Sequence, residues 1–230
     1  MNSEPIQQPS AQKQLLEKYV TAVLAAPSSL ALTATHDPAE FWERHVLDAL
    51  KILEIMPANS HKQPLRVIDV GSGNGIPGIP MAIALPNWSV TLLDSNNKKS
   101  GFLDMFCKIN AIDNVHVVAQ PAEVFAKEES ARDQFDLGFA RALGKLRTAL
   151  ELTLPFIKSG GRLMIPHGQT HKEELGHTAK VLKELRATFT GTIPYQLNRN
   201  ISFTLLAFQK NHETPAKYPR RVGQAKKSPL

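Results

Sequence analysis

The sequence predicts an α/β protein: five parallel strands alternating with helices, closed to a seven-stranded sheet by an antiparallel hairpin, under an N-terminal helical layer. Three observations carry that expectation. An apolar run over residues 65–70 meets the turn Gly71-Ser72-Gly73-Asn74-Gly75, and a helical pattern opens at Gly78; a buried strand, a tight loop and a helix in that order begin a parallel unit. Short apolar runs and helical patterns then keep alternating as far as residue 187. Finally, runs at 190–197 and 201–208 are parted only by Asn198-Arg199-Asn200. A parallel pair needs a crossover of a dozen or more residues, so these two pair antiparallel.

Each element follows from its residues. The polar stretch 1–9 carries no pattern, and Ser10 is placed to cap a helix whose Leu15, Leu16, Tyr19, Val20, Val23 and Leu24 recur at helical spacing until Pro27. Asp37-Pro38-Ala39-Glu40 has the spacing of a capping box with proline at the first position. The helix it starts reaches about Met56 and buries Trp42, Val46, Ala49, Leu50 and Leu53. Residues 57–64 read as a loop. Strands are expected at 65–70, 89–94, 115–118, 135–140 and 162–166, with helices between them, and a last helix around 171–187. Residues 212–230 set Lys217, Arg220, Arg221, Lys226 and Lys227 against Glu213 alone, interrupted by Pro215, Pro219 and Pro229. Such a segment does not fold by itself; its composition suits a phosphate-contacting arm and a solvated tail equally.

Composition bounds the function. At 230 residues with 42% hydrophobic and 21% charged positions, the chain supports one sizeable core. The expected organisation is a helical layer at 1–60, a sheet domain at 61–210 and a basic tail at 211–230. A formal net charge of +6 favours a polyanionic partner. Cys107, the single cysteine, excludes an internal disulfide framework and a cysteine-rich zinc site; it shares a helix with Phe102, Met105, Phe106 and Ile109 and reads as core. No metal site is expected. The start lacks an apolar signal core and no run approaches a membrane span, so the expected location is the cytoplasm.

The glycine loop directs attention to a ligand. Asp94 closes the second strand, where a carboxylate is placed to accept hydrogen bonds from a ribose diol, so an adenosine-containing cofactor is expected. Gly73, Gly75 and Gly78 satisfy the dinucleotide spacing. The strand, however, ends at Val70, so the glycines that matter are Gly71, Gly73 and Gly75, preceded by Asp69 and followed by Pro77 near the first helical position. That arrangement resembles motif I of S-adenosylmethionine (AdoMet)-dependent methyltransferases, with Asp69 as an acidic neighbour for the amino acid end of the cofactor. A dinucleotide-binding dehydrogenase would need a further substrate domain, for which the chain is too short.

A longer set of motifs is more specific. Arg44-His45-Val46-Leu47-Asp48, Asp69 through Pro80 with its Pro77-Gly78-Ile79-Pro80, Leu92-Leu93-Asp94-Ser95, Ala122-Glu123, Ala140-Arg141-Ala142 and the terminal Lys217-Tyr218-Pro219-Arg220 together resemble the glucose-inhibited division protein B family. Its members methylate guanine N7 in bacterial small-subunit (16S) ribosomal RNA. The resemblance implies a class I AdoMet-dependent methyltransferase fold, AdoMet as cofactor, and small-subunit ribosomal RNA or the ribosomal subunit as partner of a monomeric enzyme. It also implies a cofactor set: Gly71, Gly73, Gly75 and Ile76 in the first loop, Asp94 and Ser95 by the ribose, and Ala122 and Glu123 flanking the adenine. Arg141 would close the methionine end. The implied RNA-contact set is Arg44, Arg141, Lys217, Arg220 and Arg221.

No catalytic acid or base is expected, because guanine N7 has an in-plane lone pair and no proton to remove. Arg141-Ala142-Leu143-Gly144 stands where enzymes that methylate exocyclic amines carry an Asn/Asp-Pro-Pro-aromatic motif. His45 reads as a helix-packing residue, and Arg44 and Asp48 have the spacing of an ordinary i,i+4 pair. The chain departs from the family pattern at Ala31, Gly101, Pro121 and His167, all outside the core cofactor loop. The alternatives are a methyltransferase of another RNA site or of a small molecule, or a non-catalytic AdoMet- or RNA-binding protein.

Overall fold

A computed structural model describes residues 9–168, 171–198 and 201–230. The unpatterned start at 1–8 and Arg199-Asn200 of the hairpin loop therefore lie outside the described residues. The sheet has seven strands: β1 (Arg66–Val70), β2 (Ser89–Leu93), β3 (Val115–Val118), β4 (Phe135–Ala140), β5 (Ile157–His167), β6 (Ala187–Gln196) and β7 (Ser202–Lys210). Their order is β3-β2-β1-β4-β5-β7-β6. β1 to β5 run parallel, and β7 inserts antiparallel between β5 and β6. The strand order reverses between β1 and β4, and in such sheets a ligand crevice lies beyond the carboxyl ends of the strands at that point.

The strands are buried on both faces, so successive residues enter different cores. Val67 joins a core with Val90, Leu137 and Phe139, whereas Ile68 and Val70 join another with Leu163, Leu206 and Phe208. The N-terminal layer completes the first core. In α1 (Ser10–Leu24), Leu16, Tyr19, Val20 and Val23 are buried; Pro9, not Ser10, occupies the cap, with no side-chain bond. A short 3-10 turn, Ser28–Leu30, ends at Ala31, whose φ of 46° is left-handed. Asparagine tolerates that conformation better than alanine does.

The second helix begins as expected and then changes phase. At the start of α2 (Pro38–Phe41), the Asp37 carboxylate accepts from the Ala39 N–H at 2.8 Å. Glu40 accepts instead from the Thr35 hydroxyl and from Arg44, so only half of the capping box forms. One π turn, Trp42–Val46, precedes α3 (Leu47–Ile55). Its extra residue rotates the buried face. Ile52 and Asp48 consequently point inward beside Val46, Ala49 and Leu53, while Trp42 and Leu50 are only partly buried.

Other boundaries differ for local reasons. The expected loop at 57–64 contains α4 (Ala58–Lys62). β5 starts at Ile157 instead of 162, because Lys158-Ser159-Gly160-Gly161 extends the strand without apolar side chains to announce it. The helix expected over 171–187 is two, α9 (His171–Gly176) and α10 (Ala179–Glu184), and β6 already begins at Ala187. Between the strands lie α5 (Gly78–Ala84), α6 (Asn97–Ile109), α7 (Ala122–Phe125) and α8 (Leu146–Thr153).

The basic tail is packed onto the body. Arg132 donates to the carbonyls of Thr214, Pro215 and Tyr218 at 2.7, 3.0 and 2.8 Å. Arg220 pairs through two bonds of 2.6 Å with Glu151, whose side chain is fully buried. Tyr218 and Ala225 are buried, the latter in α11 (Gln224–Lys227). A segment with no apolar period is thus held by charge pairs and carbonyls distant in sequence. Among the described residues no helix is long and apolar enough to cross a membrane.

Candidate active site

The loop after β1 is bent by three left-handed glycines, Gly71 (φ 73°), Gly73 (φ 56°) and Gly75 (φ 96°), a conformation that side chains disfavour. The Leu93 carbonyl at the end of β2 accepts from the N–H groups of Gly71 and Ser72 at 2.7 and 3.1 Å. Asp94 fixes the turn as well: its two carboxylate oxygens accept from the N–H groups of Gly73 and Asn96, each at 2.8 Å. Each oxygen keeps a second lone pair for a ligand.

A cavity of about 420 Å³ opens here, walled by the carboxyl ends of β1, β2 and β4 and the segment after β3. Of the residues expected to hold a cofactor, Gly71, Gly73, Asp94, Ser95, Ala122, Glu123 and Arg141 line it together. Gly75 and Ile76 stand apart from it. A Cβ at Gly75 would lie 2.8 Å from Ile79 and 2.9 Å from Leu103, so this glycine makes room for neighbouring side chains, as Gly71 does for Leu143. Ile76 is 5% exposed and belongs to the core. Motif spacing cannot distinguish a glycine that lines the cavity from one that does not.

Sequence reasoning missed several walls. Lys99 and Gln120 line the cavity, as do Val222, Gly223 and Lys226 of the tail. Gln120 follows β3 and was findable from the rule that strand ends face the crevice. Nothing in the tail's composition marked it as a wall. Its Gly223 N–H donates to the Glu123 carboxylate at 2.8 Å, so a residue expected beside adenine also fastens the tail.

Two buried carboxylates shape the electrostatics. Asp69 is inaccessible to solvent; one oxygen accepts from the Gly78 N–H at 3.1 Å and the other has no partner. Burial pushes its pKa up to about 7, against the opposing pull of the Gly78 bond and Arg141. Asp48, also buried, accepts from the Tyr195 hydroxyl at 2.7 Å and pairs with Arg141 at 3.3 Å. Its pKa is raised by desolvation despite Arg141 and Tyr195. The expected Arg44–Asp48 spacing therefore produces no pair: Arg44 reaches Glu40 at 2.9 Å, and Arg141 takes Asp48 while donating to the Arg44 carbonyl at 3.3 Å.

His45 packs edge-on against Phe41 with ring centroids 4.7 Å apart. Burial, with Arg141 and Arg44 nearby, lowers its pKa to about 4, so the ring is neutral near pH 7. The Cys107 thiol, 5% exposed, is pushed up to about 12 by burial.

A parallel sheet reversing at β1, a glycine loop preceded by a buried acid, and an acidic residue at the end of β2 define a class I AdoMet-dependent methyltransferase. Solved structures share this fold. M. jannaschii TYW2 in complex with AdoMet superposes with a TM-score of 0.51 at 15% identity, covering 69% of this chain and 80% of that one. The ribosomal protein L11 methylase from Lactobacillus delbrueckii subsp. bulgaricus gives 0.51 at 18% identity, covering 78% and 81%.

The family is fixed by sequence. Residues 12–196 match the GidB family model, rRNA small subunit methyltransferase G. The chain is 34% identical over 222 residues to ribosomal RNA small subunit methyltransferase G of Streptococcus pyogenes serotype M12 (strain MGAS9429), covering 96% of this chain and 92% of that protein. The relative from S. pyogenes serotype M1 matches to the same extent. The chain belongs to the GidB family of AdoMet-dependent small-subunit ribosomal RNA methyltransferases.

Proposed function

We propose that this enzyme transfers the methyl group of AdoMet to N7 of a guanine in 16S ribosomal RNA. The observation that carries the reading is the cavity at the switch point, with the Gly71–Gly73 turn and Asp94 on one side and Arg141 at the end of β4 on another. The residues present fit AdoMet. Gln120 Oε1, a buried polar atom without a partner on a residue that lines the cavity, suits a donor such as an adenine amine. In this reading Asp94 and Ser95 hold the ribose, Ala122 and Glu123 flank the adenine, and Gly71, Gly73 and Arg141 surround the methionine end.

AdoMet, when bound, supplies an electrophilic methyl on a sulfonium sulfur. Guanine N7 presents its lone pair without a proton, so the protein's task is to align the base and exclude water. No side chain receives a proton-transfer role; His45, held neutral, and the buried Cys107 are consistent with that. Arg141 is a positioning residue, fixed by Asp48, which Tyr195 fixes in turn. RNA is met by the exposed Arg44, Lys217 and Arg221 and by Arg141. Arg220, occupied by Glu151, is withdrawn from the contact set inferred from the sequence. We carry forward the division into layer (1–60), methyltransferase domain (61–210) and tail (211–230), and a monomeric cytoplasmic enzyme.

Removing Arg141 tests the assignment. In an Asp48→Asn background, which leaves no buried carboxylate unpaired, Arg141→Ala is expected to lower methyl transfer on the order of 100-fold, the usual effect of misplacing a reacting group by about 1 Å. The melting temperature should stay within a few degrees of the Asp48→Asn protein. Equal losses of turnover and stability would make Arg141 a structural residue.

A further inference from the structure

Beside the cofactor cavity lies a second one of about 320 Å³, lined by Thr35, Glu40, Arg44, His45, Arg141 and Phe203 among others. Arg141 lines both cavities. We propose that this second cavity is the socket for the acceptor guanine, with the Glu40 carboxylate reading the base's N1–H and N2–H₂ groups and Phe203 supplying a stacking face. The proposal rests on the guanine-N7 reading above and specifies how that base is chosen.

Size and position favour a single base. The volume is at the small end of the range for small-molecule pockets, about 300–1,000 Å³, and suits one extruded or unpaired nucleotide. Enzymes that modify a base take it out of the stack or act on unpaired segments. Because Arg141 is common to both cavities, a base seated here abuts the end of the cofactor cavity assigned to the methionine part.

The chemistry selects guanine. Guanine alone among the four RNA bases offers two adjacent N–H donors on its Watson–Crick edge, and they match the two oxygens of a carboxylate. Glu40 is held ready for them: one oxygen accepts from the Thr35 hydroxyl, the other from Arg44 at 2.9 Å, and each retains a lone pair. Its side chain is 42% exposed, so no partner has to be displaced to reach it. A base read through N1 and N2 leaves N7, on its far edge, for the cofactor side.

Phe203 is partly buried and backed by Tyr195, with ring centroids 5.9 Å apart. Such a fixed aromatic face stacks a base without regard to its sequence neighbours. The His45 ring, packed edge-on against Phe41, contributes to the same wall. The π turn over Trp42–Val46 is what presents Arg44 and His45 on this wall; π turns inside helices recur at functional sites.

The test replaces the target guanine, once mapped on the wild-type product, by inosine in 16S RNA assembled into small subunits. Inosine keeps N7, O6 and N1–H and lacks the 2-amino group. For the wild type, inosine should lower kcat/KM roughly tenfold or more, the discrimination typical of a good bidentate base contact. Glu40→Gln should be impaired on guanine and suffer little further loss on inosine. Phe203→Leu, which keeps apolar bulk, should be impaired equally on both. AdoMet affinity, measured by calorimetry, should stay within about twofold throughout. An equal inosine penalty in wild type and Glu40→Gln would overturn the base-reading role, and full activity of Phe203→Leu would overturn the stacking role. If the wild type labels no guanine, the failure lies in the reaction itself, and the socket falls with it.

Discussion

Asp69 concentrates the physical tension of the site in one residue. Its side chain projects from β1 into the core beneath α5, and a Cβ at Gly78 would sit 3.0 Å from its Oδ2 atom, so the helix approaches closely enough for the Gly78 N–H to donate. One bond does not repay burial of the charge, and the pKa rises to about 7 from an ordinary value of 3.8. Between those values the folded chain holds a proton that the unfolded chain has lost. The associated stability is complete below about pH 4 and disappears as pH rises through about 7. The cofactor-free protein should therefore be less stable near pH 7.5 than near pH 5 by up to about 2.5 kcal/mol. Denaturant melts across that window would measure it. Asp69→Asn should flatten the dependence, whereas an unchanged slope would assign it to other groups. At this scale the sequence was most readable: Asp69, Gly71 and Gly73 lie within one short motif, and Asp94 ends the strand that follows. The pairing of Arg141 with Asp48, 3.3 Å apart, depends on two elements meeting, and no spacing encodes it.

Among the elements, the π turn and the tail departed most from expectation, for different reasons. Nothing in Trp42–Val46 distinguishes a π turn from an α turn, yet the phase change decides that Asp48 faces Arg141 and Tyr195. The tail has no hydrophobic period at all. Its order comes from Arg132, Glu151 and Lys210, the last fully buried with its ammonium donating to the Leu154 carbonyl at 3.0 Å and to Thr214. Breaking a buried pair leaves an uncompensated charge. Arg220→Ala should accordingly lower stability by about 3–5 kcal/mol. It should also weaken AdoMet binding, since Val222, Gly223 and Lys226 wall the cavity. Replacing Glu151 by leucine as well should restore part of the stability. A thermal melt unchanged by Arg220→Ala would mean that the tail is held elsewhere.

For the whole molecule, alternating patterns made the parallel half of the sheet readable, with β3 and β4 at the expected residues. The hairpin was readable too, from its short loop. Its position was not: β7 pairs with both β5 and β6, and only the folded sheet determines which strand lies inside. The N-terminal layer shares a core with the sheet, Tyr19 of α1 packing on Phe106 of α6 with centroids 5.5 Å apart and donating to the Asn74 carbonyl at 2.6 Å. The layer thus braces the glycine loop directly and, through Arg44 and His45, walls the second cavity. Cofactor crevice and acceptor socket are products of the same packing.

The most direct measurement is transfer of labelled methyl from AdoMet to small ribosomal subunits and to protein-free ribosomal RNA from cells lacking this enzyme, with the product mapped by N7-specific cleavage. The expected result is label at a single guanine of 16S RNA, cleaved at that position. Absence of label from an enzyme that demonstrably binds AdoMet, or label that resists N7-specific cleavage, would contradict the assignment of guanine N7 as acceptor.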